Sequence, residues 1–317
     1  MGRVLRVGLG AALVFLVSCG GPGASGFATD RDGGGGSAGS GGGGSGGPPP
    51  DLSDAAPGTG TGTSTLECSA AAKLVYVIDD MGVLHSFDPG KLAFTTIGPT
   101  NCPGAEGTNS MAIDRSATAW VNDVNGKIYK VNTADGSCES TTFIPGQHGF
   151  GPQFGMGFSS DADGGTAETL YVDGLEGAGL ATIDLTTLIL NPIAHFGSPL
   201  STGDCELTGT GDGRLYGFFT NTPASVAQID KVTAAILDNV PQAGVSTGTD
   251  WAFSFWGGSF YLYTADTGVS PLDTSDVTQY DPMGSSTAPK VVMSQIGFRI
   301  VGAGVSTCAP LTPPPLK

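Results

Sequence analysis

Three carboxylates have the chemistry for a shared reaction. Asp114, Glu206 and Asp250 each fall at or near a segment that reads as the innermost strand of a repeating sheet. If they converged, one would serve as general acid and another as base or nucleophile in glycoside hydrolysis, although no pair has a separation that the sequence reveals. A second acidic group, Asp161-Ala162-Asp163-Gly164 followed by Glu168, offers oxygen ligands around a glycine turn, the donor type a calcium ion takes. The set lacks a third aspartate, and an acidic surface turn is the competing reading. Gly244-Val245-Ser246-Thr247-Gly248 has the spacing of a nucleophile elbow, a device that needs a strand-to-helix turn. No helix is expected there, and the same spacing recurs in the Gly/Ser-rich stretch 43–47. Trp251 and Trp256 are the candidate ligand-binding aromatics, with faces suited to sugars or apolar ligands, whereas Trp120 reads as core. His85, His148 and His195 are scattered and no C-x-x-C occurs, so zinc is not expected.

The elements that must position these groups repeat along the chain. An apolar residue followed by Asp or Asn recurs at Phe87-Asp88, Val131-Asn132, Ile183-Asp184, Ile229-Asp230 and Tyr280-Asp281, at spacings of 44, 52, 46 and 51 residues. That is the period of a four-stranded propeller blade. A strongly apolar strand precedes each pair (Leu74 to Ile78, Ala119 to Val121, Leu170 to Val172, Leu215 to Phe219, Phe260 to Tyr263). A variable edge strand follows each (Phe94 to Ile97, Thr141 to Ile144, Ile193 to Phe196, Ile236 to Val240, Val291 to Ile296). Asn125-Gly126, Asp212-Gly213 and Gly257-Gly258 sit between strands where tight hairpins need positive φ.

Innermost strands are expected at Ser110 to Asp114, Phe154 to Ser159, Glu206 to Gly211 and Ala252 to Phe255, but none precedes Leu74. A spare one, Arg299 to Thr307, follows the fifth repeat. The expectation is an all-β, five-bladed β-propeller whose carboxyl-terminal strand completes the first blade, a device that resembles the "Velcro" closure of known propellers. A two-sheet sandwich is the alternative. Propellers of this kind include glycoside hydrolases with carboxylates in the funnel, and that resemblance is what groups Asp114, Glu206 and Asp250.

Composition agrees with strands and turns. Of 317 residues, 53 are Gly and only 13% are charged, which disfavours a helical protein. The net charge of −16 repels polyanions, so nucleic acid is not an expected partner and anionic head groups would not hold the chain by charge. Residues 1–18 read as a signal segment: Arg3 and Arg6, then an apolar run from Val7 to Val17 too short to span a bilayer. Leu16-Val17-Ser18-Cys19 resembles the bacterial lipobox, which implies cleavage before Cys19 and its lipidation, and Gly20 implies export to the outer membrane, on a face left open. An ordinary secretory signal cleaved near Ala24 to Ala28 is the alternative. Residues 19–64, with 18 glycines and a Pro-Pro-Pro run, cannot bury enough apolar surface to order and read as a disordered linker.

The propeller domain is expected over 65–310, with a Pro-rich tail at 311–317. In an oxidising compartment ring closure would bring Cys68 to Cys308, and Cys102 would reach Cys138 within the second blade, leaving Cys205 over. Five cysteines permit other pairings. The whole resembles secreted bacterial lipoproteins with propeller repeats of the NHL, YVTN and quinoprotein-like kinds. This implies a monomer held to the membrane by its lipid and acting as a non-catalytic binding or scaffolding module for a protein, glycan or small ligand. The alternative is a propeller hydrolase acting on a glycan or lactone. No cofactor is expected beyond the candidate calcium.

Overall fold

The computed structural model describes residues 68–266, 273–284 and 288–315. The expected signal segment, the lipidation site Cys19, the linker 19–64 and the last two residues of the tail lie outside the described residues.

Five antiparallel four-stranded sheets follow one another along the chain. Blade 1 contains β1 (Val75–Asp79), β2 (Val83–Asp88) and β3 (Ala93–Pro99), and blade 2 contains β4 (Thr108–Ile113), β5 (Thr118–Asp123), β6 (Ile128–Asn132) and β7 (Cys138–Ser140). Blade 3 is β8 (Phe154–Ser160), β9 (Glu168–Gly174), β10 (Gly179–Ile183) and β11 (Leu190–Ala194). Blade 4 is β12 (Cys205–Gly209), β13 (Leu215–Phe219), β14 (Ser225–Ile229) and β15 (Ile236–Pro241). Blade 5 is β16 (Asp250–Trp256), β17 (Ser259–Ala265), β18 (Asp276–Tyr280) and β19 (Lys290–Met293). The last strand, β20 (Ile300–Val305), joins blade 1 as its inner strand, with Val75 opposite Val305 and Val77 opposite Ala303. The inner strands β20, β4, β8, β12 and β16 touch in a closed cycle, so the sheets form a five-bladed propeller and no inner edge is left open.

The repeated Asp or Asn has a local physical cause. In each blade its side-chain oxygen accepts a backbone N–H two or three residues on, closing the turn between the third and fourth strands. The bonds run from Lys91 to Asp88, Ala134 to Asn132, Thr186 and Thr187 to Asp184, Val232 and Thr233 to Asp230, and Met283 to Asp281. Bonded by these amides and by threonine hydroxyls, the Asp184 and Asp230 carboxyls are held below the usual carboxylate range.

Packing between blades is supplied by alternate residues on facing sheets. Phe218 on β13 meets Phe253 on β16, which stacks on Phe260 of β17, all fully or almost fully buried. Each such side chain contributes about 1.5–3 kcal/mol of transfer free energy. Around the axis the blades approach so closely that only hydrogen fits on some inner positions. A Cβ on Gly155 would lie 2.0 Å from the Cys205 carbonyl oxygen, and one on Gly209 2.2 Å from that of Phe158.

Three edge strands differ from expectation. The fourth strand of blade 2 is Cys138–Ser140 rather than 141–144, that of blade 3 begins at Leu190 rather than at Ile193, and that of blade 5 ends at Met293 rather than at Ile296. In blade 2 the Cys102–Cys138 bond fixes the edge early, and Phe143, expected in the strand, leaves it to pack against Phe154 in the neighbouring blade.

Candidate functional site

All five inner strands run in the same direction, so the axis has two unlike ends. At the end where the strands begin, the upper mouth, a cavity of about 240 Å³ opens over the axis. Its lining includes Asn109, Gln153, Glu206, Thr249, Asp250 and Trp251.

Glu206, the second residue of β12, faces this cavity while only 5% exposed. Its Oε2 accepts the Ser110 hydroxyl of β4 at 2.7 Å, a bond between blades 2 and 4. Burial pushes its carboxyl well above the usual carboxylate range, and the Ser110 hydroxyl and Met156 amide pull only partly the other way. Behind it, Asp173 at the end of β9 accepts the Cys205 amide at 2.7 Å, and burial raises that carboxyl too. The free Cys205 thiol is fully buried and pushed upward, first by burial and then by Asp173, so it is poorly suited to act as a thiolate.

Asp250, the first residue of β16, is differently placed. Its Oδ2 is paired with the Arg299 guanidinium and accepts the Thr249 hydroxyl at 3.1 Å. Arg299 also donates to the carbonyls of Asp266 and Asp273, so both charges are committed to holding the junction of blades 5 and 1. Beside them the Asp80 carboxyl is raised by partial burial and by Asp79.

The third carboxylate of the expected set is elsewhere. Asp114 follows the last residue of β4, at the lower mouth, where Oδ1 accepts the amides of Ser116 and Thr118 and Oδ2 accepts the Trp120 indole N–H at 3.0 Å. It is a turn-forming residue that anchors a core tryptophan, not a funnel acid. The two candidate tryptophans are likewise separated. Trp251 lines the upper cavity, whereas Trp256 sits at the other end of β16 and donates to the Lys73 carbonyl at 2.9 Å.

The candidate calcium ligands do not converge. Asp161 accepts the Thr169 hydroxyl, Asp163 is exposed, and Glu168 turns toward the axis, accepting the Arg115 amide and the Thr307 hydroxyl at 2.7 Å each. Among the described residues no group of three or more His, Cys, Asp or Glu side chains is arranged to hold a metal. Ser246 lies in the loop between β15 and β16 with no helix after it, so the elbow spacing there has no elbow.

The lower mouth is knitted shut. Besides Glu168, Arg115 reaches Thr307 and the Cys68 sulfur, and the Ser306 hydroxyl donates to the Ala72 carbonyl at 2.6 Å. Cys68 and Cys308 are disulfide-bonded, as are Cys102 and Cys138. Sequence reasoning had no means of singling out Ser110, Asp173 or Arg299, whose partners come from other blades.

No family model matches the chain, and no curated protein sequence is similar to it. Among solved structures it is similar to an auxiliary nutrient binding protein from Bacteroides thetaiotaomicron, at 12% identity and a TM-score of 0.41, over 69% of this chain and 54% of that one. A catalytically inactive virginiamycin B lyase from Staphylococcus aureus with quinupristin is 13% identical with a TM-score of 0.40, over 72% of each chain. The extracellular domain of a hybrid two-component system from B. thetaiotaomicron is 12% identical with a TM-score of 0.37, over 71% of this chain and 28% of that one. This chain thus spans about half or less of two of these neighbours, and likenesses of this size carry no argument about what its upper mouth does.

Proposed function

We propose that the chain is an envelope lipoprotein, tethered through Cys19, whose propeller is a non-catalytic module that binds a small polar ligand in the upper funnel. The observation that carries this reading is the state of the two carboxyls at that mouth. Glu206 is bonded to Ser110 and Met156, and Asp250 is paired with Arg299, so no pair of free carboxyls flanks the cavity. Hydrolysis of a glycan needs two, one protonated and one able to act as base or nucleophile. The raised Glu206 carboxyl alone supports the second reading, a hydrolase with a general acid at that position.

Attachment in this reading comes from lipid at Cys19. Among the described residues no helix is long and apolar enough to cross a membrane. Two experiments test the proposal. Full-length protein is first screened against a glycan array, small envelope metabolites and chromogenic glycosides and lactones. Saturable binding without turnover supports a binding module, and turnover abolished by Glu206→Gln overturns it. Cys19→Ala should then abolish acyl labelling and release the protein from membranes, and a variant that stays membrane-bound would refute the tether.

A further inference from the structure

The funnel contains an unusual electrostatic imbalance. Glu206 is a buried ionisable group that faces a cavity, and every partner it has is a neutral donor. Among the described residues, none of the pairs of Lys91 with Asp88, Arg214 with Asp212 and Arg299 with Asp250, nor the contact of His85 with Asp79, reaches Glu206. The titratable groups nearest it, Asp173 on β9 and Cys205 on its own strand, are acidic or neutral. Arg299 at the rim is consumed by Asp250 and two carbonyls. A carboxylate removed from water without a cation is costly, and a cation seated beside it offsets that cost.

The lining of the same cavity includes Trp251, half-buried, which packs on one side against the cluster of Phe218 and Phe253 between blades 4 and 5, and an indole is the aromatic group beside which a cation is best stabilised. Around it Gln153 and Asn109 supply neutral amides. The cavity is too small for most drug-sized ligands, whose pockets run from about 300 Å³ upward.

We infer that the funnel takes a small primary ammonium ligand, with Glu206 as its counter-ion and Trp251 as the wall beside it. The inference rests on the funnel being the binding site. Burial favours the neutral Glu206 carboxyl, so a proton it carries in the empty funnel would leave to solvent as the ammonium binds the carboxylate.

The test uses the full chain and calorimetric titration with putrescine, against 1,4-butanediol as the uncharged counterpart of similar length. Expected is saturable putrescine binding at least tenfold tighter than the diol, weakened at least tenfold by Glu206→Gln and several-fold by Trp251→Ala. Repeating the titration near pH 5 in buffers of different ionisation enthalpy should reveal a proton released on binding, which Glu206→Gln removes. Unfolding curves check that both variants are folded, and Glu206→Asp, which keeps the charge, should retain more affinity than the glutamine. Putrescine affinity unchanged in Glu206→Gln, or no putrescine binding at all, overturns the inference. Diol and putrescine binding equally, both lost in Trp251→Ala, also overturns it but leaves the funnel standing as a binding site.

Discussion

The two mouths of the axis are built from the same five strands and do opposite things. At the lower one, segments distant in sequence bond one another: the Arg115 amide and the Thr307 hydroxyl to Glu168 of blade 3, the Ser306 hydroxyl to the Ala72 carbonyl, and Cys68 to Cys308. At the upper one, Trp251, Gln153 and Glu206 line a cavity, and blades are joined around it by the Asp250–Arg299 pair, the Ser110–Glu206 bond and the Cys205 amide on Asp173. The covalent closure lies at one end and the cavity opens at the other.

The hardest blow to this division falls on the disulfide. Replacing Cys68 and Cys308 with Ala opens a loop of 240 residues, for which the chain-entropy model gives a loss of about 5 kcal/mol. Urea unfolding should register this loss while funnel binding in native buffer stays unchanged, and a variant that keeps its stability would show the lower mouth closed without its covalent bond. Next comes Gly155→Ala, whose methyl group meets the Cys205 carbonyl oxygen at the upper end. Overpacking should cost about 1–3 kcal/mol in thermal or chemical unfolding and, by moving β12, weaken funnel ligands too.

Asp114→Ala sharpens the contrast from below, removing an Asx turn and the Trp120 bond for a loss of about 1–2 kcal/mol with no effect on funnel ligands. A catalytic role for Asp114 would instead appear as lost turnover in a stable protein. The pH dependence probes the upper mouth. Burial raises the Glu206 carboxyl in the folded state, so the native protein binds more protons than the unfolded chain between the usual glutamate range and that raised value. Stability should therefore fall as pH rises through this window, by up to about 1.4 kcal/mol per pH unit from this group. In Glu206→Gln the slope should shrink by Glu206's share, and an unchanged slope would mean the carboxyl is not strained by burial. Smallest is Arg299→Met with Asp250→Leu together, a partly exposed pair worth about 1 kcal/mol or less in unfolding experiments.

The ring and its closure were legible because their signals are local and repeated. Each blade carries its own Asx turn, and the missing inner strand before Leu74 matches the extra one after residue 299. The site was less legible, because a cavity on the axis is assembled from five distant segments. Part of the error was still avoidable. Inner strands that run parallel assign each residue to a mouth by its place in the strand, and Asp114 ends one such strand while Glu206 nearly begins another. Likewise Trp251 and Trp256, five steps apart at about 3.3 Å per residue, point to opposite faces of a strand and sit about 17 Å from each other. The Ser110–Glu206 bond had no such signal, since nothing in either segment names the other.

The Cys68–Cys308 bond has a mechanical meaning as well. Any pull delivered through the chain ahead of Cys68 enters the domain at the sealed end and passes straight into a covalent staple between its first and last segments. A load carried on to the tail beyond Cys308 would cross that staple rather than the β1–β20 hydrogen bonds.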